Sequence, residues 1–391
     1  MPTIRLPAKD GRVEDYATKP PKKFPKAAPA AGGKPFNRVA YAAAHVVADP
    51  LADNDPWLTP AVDWETTLKF RSHLFALGLA VAEAMDTAQR GMGLDWPTSL
   101  ELIKRSVALA KAEGGTVASG AGTDHLAPSP SLTLADVIAA YEEQCAAVEK
   151  VGGRIILMAS RALAACAKSP DDYAKVYGRI LSQVKEPVLI HWLGEMFDPA
   201  LEGYWGDRDH WKAMETCLGI LKANAPKVDG IKISLLDKDK EIAMRRRLPE
   251  GVRMYTGDDF NYAELIAGDA EGHSDALLGI FDAIAPAASA ALGELARGAE
   301  KSFHEILAPT VPLSRHVFKA PTRFYKTGVV FMAYLNGLQE HFVMVGGQQS
   351  ARSLLHLAEL FRLADAAGLL ADPDEACARM RRVLAVHGMA N

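Results

Sequence analysis

Several protein classes are excluded by what this sequence lacks. It has only four cysteines in 391 residues, Cys145, Cys166, Cys217 and Cys377, and no pair has metal-ligand or redox-motif spacing. That excludes a disulfide scaffold and a compact zinc module and points to reduced thiols in a cytoplasm. No run of about 20 uncharged apolar residues occurs, so no membrane span is expected. The N-terminal MPTIRLPAKDGRVEDY has no apolar core of a signal peptide. Net charge is −4, so there is no global basic field and no nucleic-acid partner is expected. No glycine-rich phosphate fingerprint follows the first apolar run, which disfavours a doubly wound open sheet. What is present is an ordinary globular balance, 49% hydrophobic and 24% charged residues, on a chain long enough for one large domain or two ordinary ones.

Residues 3–16 read as a hairpin, TIRLP and RVEDY around AKDG. Residues 17–36 are rich in Pro, Lys, Ala and Gly, the composition of an irregular arm; its PPKKFPK cluster is either solvated or a contact for an acidic partner. From residue 37 the pattern becomes regular. Strand-like runs at 38–47, 79–87, 116–126, 153–160, 186–194, 230–236, 252–259 and 274–282 alternate with helical segments at 63–77, 97–113, 133–151, 170–185, 207–223, near 238–247 and 260–268. Asp63 is placed to cap the first helix and Pro97 sits in the first turn of the second. Strands that alternate with helices pair in parallel through crossovers. Eight such units over about 250 residues predict a (β/α)8 TIM barrel. The division expected is an N-terminal arm 1–36, a barrel 37–290 and a helical extension 291–391, with helices at 287–305, 325–341, 348–367 and 373–387.

The most informative stretch is 226–260, PKVDGIKISLLDKDKEIAMRRRLPEGVRMYTGDDF. In its first strand Ile231, Ile233 and Leu235 alternate with Gly230, Lys232 and Ser234. Successive side chains of a strand face opposite ways, so Lys232 lies opposite the aliphatic row. A lysine within a core strand is costly unless a carboxylate pairs with it or its pKa falls. The first case makes Lys232 structural. The second makes it an amine nucleophile toward a carbonyl.

A barrel works at the C-terminal ends of its strands. Those ends offer His45 and Asp49; Glu83, Asp86 and Thr87; Thr123, Asp124 and His125; Ser160 and Arg161; His191 and Glu195; Lys232 and Ser234; Asp258 and Asp259; and Asp282. Alternation in VLIHWL puts His191 either in the lumen, one strand from Lys232 and able to relay protons, or among the outer helices as a core histidine. Asp124 and His125 are either site residues or turn and cap chemistry, and Asp258 is either a site residue or the cap of helix 260–268. Arg245, Arg246 and Arg247 read as a solvated helix C-terminus.

GIKISLLDKDKEIAMRRRLPEGVRMYTGDDF resembles the strand 6 to strand 7 segment of the dihydrodipicolinate synthase and N-acetylneuraminate lyase superfamily, in which a Gly-Ile-Lys strand supplies a Schiff-base lysine and a Gly-Asp-Asp turn ends the next strand. The resemblance extends more loosely over 38–390, through TVASGAGT, EPVLIHW, the IAP at 284–286 and the C-terminal helices. The chain looks most like a divergent, dihydrodipicolinate synthase-like branch. The resemblance implies a homodimer or homotetramer whose Lys232 forms an imine with a keto or aldehyde carbon. Two departures stand out. Where the superfamily has a Tyr-Asn pair on strand 5, this chain has His191 and Trp192, which leaves His191 as proton shuttle. Where it has a Gly-Thr-Thr-Gly-Glu turn holding the carboxylate of pyruvate, this chain has AMDTAQ, with Asp86 and Thr87. An aspartate there repels a carboxylate.

The leading expectation is therefore a class I, Schiff-base aldolase, lyase or dehydratase. Lys232 and His191 are its catalytic residues, with Glu83, Asp86, Thr87, Asp124, His125, Ser160, Arg161 and Asp258 around a small carbonyl substrate that is polyhydroxylated rather than pyruvate. It needs no cofactor beyond the covalent imine. A second expectation is a metal-dependent barrel aldolase or sugar isomerase, with a divalent ion held by some of Glu83, Asp86, Asp124, His125, His191 and Glu195; no compact ligand set such as His-x-His supports it. A third is a non-catalytic binding barrel, since fold alone decides no function.

Overall fold

The computed structural model describes residues 1–25, 27 and 35–389; the rest of the expected arm, residue 26 and residues 28–34, lies outside the described residues. The chain starts with a two-stranded antiparallel hairpin, β1 (Thr3–Pro7) and β2 (Val13–Ala17). Its turn closes with Gly11 at φ +84°, a backbone angle that suits glycine. The hairpin does not stand alone. Ile4 and Leu6 are buried, the Tyr16 hydroxyl donates to Asp365 Oδ2 at 2.7 Å, and Arg381 donates to the Thr3 carbonyl, so the two ends of the chain are tied together.

Eight parallel strands follow: β3 (Ala40–Ala43), β4 (Ala80–Glu83), β5 (Val117–Ala121), β6 (Arg154–Leu157), β7 (Val188–Leu193), β8 (Val228–Ser234), β9 (Arg253–Thr256) and β10 (Asp275–Leu278). They close on themselves, β10 pairing with β3. The expected TIM barrel is the fold. The main outer helices are Trp64–Ala76, Trp96–Glu113, Leu134–Lys150, Pro170–Gln183, His210–Ala223, Lys238–Arg245, Tyr262–Ala267 and Ala285–Ala296. Their starts are written in the sequence: Asp63 and Asp95 cap the first two, and Thr133 forms a reciprocal capping box with Asp136.

Two apolar layers divide the molecule. The lumen holds a small cluster that includes Tyr41, Ala43, Ala82, Ala118, Ile156, Leu189, Tyr255 and Leu277. The larger core lies between the strands and the helices. Barrel cores are usually filled with branched side chains; here the first three strands contribute Tyr41 and the alanines 43, 82 and 118.

The C-terminal helices depart from expectation where glycine intervenes. The segment 287–305 is two helices, Ala285–Ala296 and Glu300–Leu307, separated at Gly298 with φ +78°. The helix expected at 325–341 is Tyr325–Leu335, stopped at Asn336 and Gly337. The helix expected from 348 begins at Leu354, because 345–351 winds as a 3-10 stretch, Arg352 is extended and Ser353 takes the N-cap. Helix Pro373–Val386 follows it. Helices Arg161–Cys166 and Val311–Val317 were not anticipated. Among the described residues no helix is long and apolar enough to cross a membrane, and the four cysteines are free and buried.

Candidate active site

Strand register builds the site. Lys232 pairs with His191 on one side and Tyr255 on the other. Leu189 and Tyr255 belong to the lumen cluster, while Ile190, Trp192, Ile231 and Ile233 belong to the outer core. Alternation therefore turns both Lys232 and His191 inward. Glycines make the space. A Cβ on Gly230 would stand 2.6 Å from the Tyr255 ring, and one on Gly257 would stand 2.7 Å from Lys232 Cε. Tyr255 fills the lumen beside Gly230, held by its hydroxyl on Asp229 at 2.7 Å and edge-on to Tyr41.

Lys232 is 7% exposed. Among the described residues its ammonium has no hydrogen bond and no ion pair within contact distance. Burial lowers its pKa, and the negative charges of Asp259 and Asp86 resist that fall. His191 is buried beside it, with Nε2 3.2 Å from Ser234 Oγ. Burial and the Lys232 charge hold the imidazole well below its usual pKa, so it is neutral at physiological pH.

Alternation along Tyr255, Gly257 and Asp259 brings Asp259, rather than Asp258, to the lysine. Asp259 Oδ1 accepts from the Ile280 N–H at 2.8 Å, and burial pushes its carboxyl up. Asp258 does turn work. It accepts from the backbone N–H groups of Phe260 and Asn261 and from the Asn261 amide. Asn261 occupies the N-cap position of helix Tyr262–Ala267 without a side-chain cap bond, and Asp258 lies three residues before it.

The turn after β4 carries Asp86 and Thr87 to the mouth. Thr87 Oγ1 lies 2.8 Å from the hydroxyl of Tyr325, 238 residues away in sequence. Tyr325 stacks on Phe318 with ring centroids 4.4 Å apart and closes over Gly279, where a Cβ would stand 3.1 Å from its ring. Burial, reinforced by Asp86, raises this phenol well above its usual pKa. Lys232 and Tyr325 thus share the same two neighbours, Asp86 and Asp259.

A cleft at the mouth is lined by Asp86, Arg90, Thr123, Asp124, Arg161, His191 and Asp198, among others. Its arginines are paired. Arg90 grips both oxygens of Asp124, at 2.9 and 2.6 Å, and lies over the Trp96 ring. Burial alone would raise Asp124, but Arg90 holds its carboxyl below the usual range. Arg161 pairs with Asp198. Thr123 and Ser160 share a hydroxyl contact of 2.6 Å, and Ser160 also caps helix Arg161–Cys166. His125 sits at the rim, 2.7 Å from Gln144 and 3.3 Å from Glu143.

The structure does not bring Glu83 to this group. Its neighbour Ala82 faces the lumen, so Glu83 faces the helix layer, where both its oxygens bind Arg71. Glu195 is engaged by His210 at 3.1 Å. His45 and Asp282 pair at 2.8 Å in full burial, with His45 also 3.1 Å from Gln339. Sequence reasoning missed Tyr325, Arg90 and Lys326. Lys326 is 3% exposed, donates to the Arg323 carbonyl at 3.1 Å and lies 3.3 Å from Met92 Sδ; burial pushes its ammonium down to about 8. Asp259 was on the strand-end list, and the period-2 pattern of YTGDD carried the signal that it faces the lysine. For the other three the contacts with Thr87, Asp124 and Met92 are distant in sequence and leave no local mark.

Among the described residues no three His, Cys, Asp or Glu side chains are grouped to hold a metal ion. The donor set expected for one is dispersed, with Glu83 in the barrel wall, Asp124 on Arg90 and Glu195 on His210.

Solved structures of similar fold include a dihydrodipicolinate synthase from Thermotoga maritima (TM-score 0.63, 15% identity, covering 85% of this chain and 99% of that one). A second is the chloride-inhibited dihydrodipicolinate synthase from Acinetobacter baumannii complexed with pyruvate (0.61, 18%, 85% and 99%). A third is the 4-hydroxy-tetrahydrodipicolinate synthase from Methylacidiphilum fumariolicum SolV (0.61, 14%, 90% and 99%). At these identities the likeness is one of fold, and it is the fold that the strand 6 resemblance implied. No curated protein matches the chain in sequence. A family model does, over residues 4–389, and by that match the chain belongs to the family described as protein of unknown function (DUF993).

Proposed function

We propose that this protein is a class I lyase, an aldolase or dehydratase that binds a carbonyl substrate as an imine on Lys232. One observation carries the reading: a buried lumen lysine with no hydrogen-bonded partner, its pKa lowered by burial, in register with a neutral histidine at the C-terminal end of a barrel. The unprotonated amine adds to the carbonyl carbon, the resulting carbinolamine hydroxyl takes a proton from an acid and leaves as water, and the iminium nitrogen keeps its remaining proton. In an aldol cleavage a base takes the proton of the β-hydroxyl group, the Cα–Cβ bond breaks, and its electron pair moves into the iminium to give an enamine. In a dehydration the base takes the α-proton and the β-hydroxyl leaves with a proton from an acid. His191 serves as acceptor. Tyr325, protonated at neutral pH and hydrogen-bonded to Thr87, serves as donor.

The substrate we favour is polyhydroxylated. Asp86 stands near both Lys232 and Tyr325, where it accepts hydroxyl protons and repels a carboxylate next to the reacting carbon. The cleft arginines are already neutralised by Asp124 and Asp198, which leaves hydrogen-bonding edges rather than a free cation. The homodimer or homotetramer expected from the resemblance is part of the same proposal. Leu51, Trp57 and Leu58, exposed together on the loop after β3, are surface that a subunit contact would cover.

Borohydride trapping tests the reading. The protein is incubated with ketoses, polyhydroxy aldehydes, keto acids and pyruvate, then reduced and mapped by peptide mass spectrometry. We expect an adduct on Lys232 with a polyhydroxylated carbonyl compound. Efficient trapping of pyruvate overturns the substrate class, and no adduct on Lys232 with any carbonyl overturns the mechanism.

A further inference from the structure

Away from the barrel mouth, three segments of the molecule bring basic side chains together. The hairpin turn brings Lys9, the end of helix Val311–Val317 brings His316 and Lys319, and the start of helix Leu354–Ala366 brings Arg352 and His356. These groups lie within electrostatic reach of one another. Lys319 feels Arg352 and Lys9, His316 feels Lys319 and Lys9, and His356 feels His316, Arg352 and Lys319. The carboxylate facing them is Glu359, which also lies 4.0 Å from Arg362. Among the described residues neither lysine ammonium donates to a carboxylate. Burial holds both imidazoles below their usual pKa, His356 down to about 2, so the cations are Lys9, Lys319 and Arg352, and three like charges beside one carboxylate favour an added anion.

Buried polar atoms at the same place point the same way. Arg352 is 9% exposed and His356 4%. The Arg352 Nη2 group is spent on the carbonyls of Lys319 at 2.7 Å and Pro321 at 3.1 Å, which fixes the guanidinium and leaves Nε–H without a partner. Both ring nitrogens of His356 are also unpartnered. Its ring is stacked on His316 at 4.1 Å, and His316 donates to the His356 carbonyl at 2.9 Å, so neither ring is free to turn away. An unmade hydrogen bond at a buried polar group costs about 1–3 kcal/mol, and native proteins rarely leave three together; two of these three are donors, Arg352 Nε–H and the single N–H of the neutral imidazole. The helix adds its own positive end, with Ser353 as N-cap.

We propose that this cluster is an oxyanion site for a phosphate group, inorganic or carried by a small metabolite. A phosphate oxygen has only acceptor positions to offer, which matches Arg352 Nε–H and a His356 N–H within and the Lys9 and Lys319 ammonium groups at the rim. The site does not depend on the imine chemistry of Lys232.

The test uses the full chain. Inorganic phosphate and a sugar monophosphate are each titrated against chloride at constant ionic strength, followed by the NMR signals of the histidine rings and by the thermal midpoint. Saturable shifts confined to His316 and His356, with a saturable rise in midpoint, are expected from at least one of the two ligands; tighter saturation by the sugar phosphate assigns the site to a metabolite. The double variant Lys9→Gln/Lys319→Gln, altered only at exposed positions, should bind about tenfold more weakly, whereas Arg161→Gln in the barrel cleft should bind as the parent does. Phosphate acting no differently from chloride, binding unchanged in the double variant, or binding lost in Arg161→Gln each overturns the proposal.

Discussion

Arg71 and Lys232 are buried cations of the same barrel, one in its wall and one in its lumen. Arg71 is satisfied on every side. Its Nε and Nη2 meet the two oxygens of Glu83 at 2.9 and 2.8 Å, and Nη1 donates to the carbonyls of Thr67 and His45. Glu83 in turn accepts from Ser106 and from the Ala84 N–H. Lys232 has two carboxylates within electrostatic reach and no hydrogen bond among the described residues. A buried ion with every valence filled ties elements together and does nothing else. A buried ion left unfilled gives up its charge more readily, and an amine that does so can attack a carbonyl.

Breaking each half of this comparison should have opposite results. Glu83→Ala strands Arg71 in the wall and should cost about 3–5 kcal/mol in denaturant unfolding. Lys232→Met removes a charge that was never paired and fills the same space, so stability should hold or rise while the trapped adduct disappears. The reverse ranking would undo the distinction between the two sites.

A smaller effect concerns pH. Burial pushes the Glu241 carboxyl up to about 8 from an ordinary 4.5, although it is held by Ser274 and Thr256. Above pH 4.5 the unfolded chain has lost this proton while the folded one keeps it, so the folded state binds more protons and stability falls as pH rises toward 8. Glu241→Gln should lack that decline, and urea unfolding at pH 5 and pH 8 reads the difference. The smallest effect is expected at Tyr325→Phe. It loses one hydrogen bond to Thr87, worth about 1 kcal/mol, and should still form the Lys232 adduct while turning over more slowly.

Much of this was legible beforehand because it is periodic. The 2-residue alternation of GIKISLL and VLIHWL fixes which way Lys232 and His191 face, and the eight strand–helix units give the barrel. The same alternation in AVAEAM turns Glu83 outward, a sign outweighed in the reading by its place at a strand end. What could not be read is carried by distant partners. Arg71 claims Glu83 across a helix–strand contact, Arg90 claims Asp124, and Tyr325 comes to Thr87 from the C-terminal extension. Glycines at 298 and 337 break helices whose apolar spacing runs on through them.

The most direct test of the central claim is the titration of Lys232 itself. Reductive 13C-methylation of the lysines followed by NMR gives each amine its own curve, assigned through Lys232→Met. Lys238, exposed and paired with Glu264 at 2.8 Å, is the internal reference, its pKa raised by that partner. The account predicts that Lys232 titrates below 10.5 and below Lys238. A Lys232 that titrates with or above Lys238 is a stably charged structural lysine, and the imine mechanism falls with it.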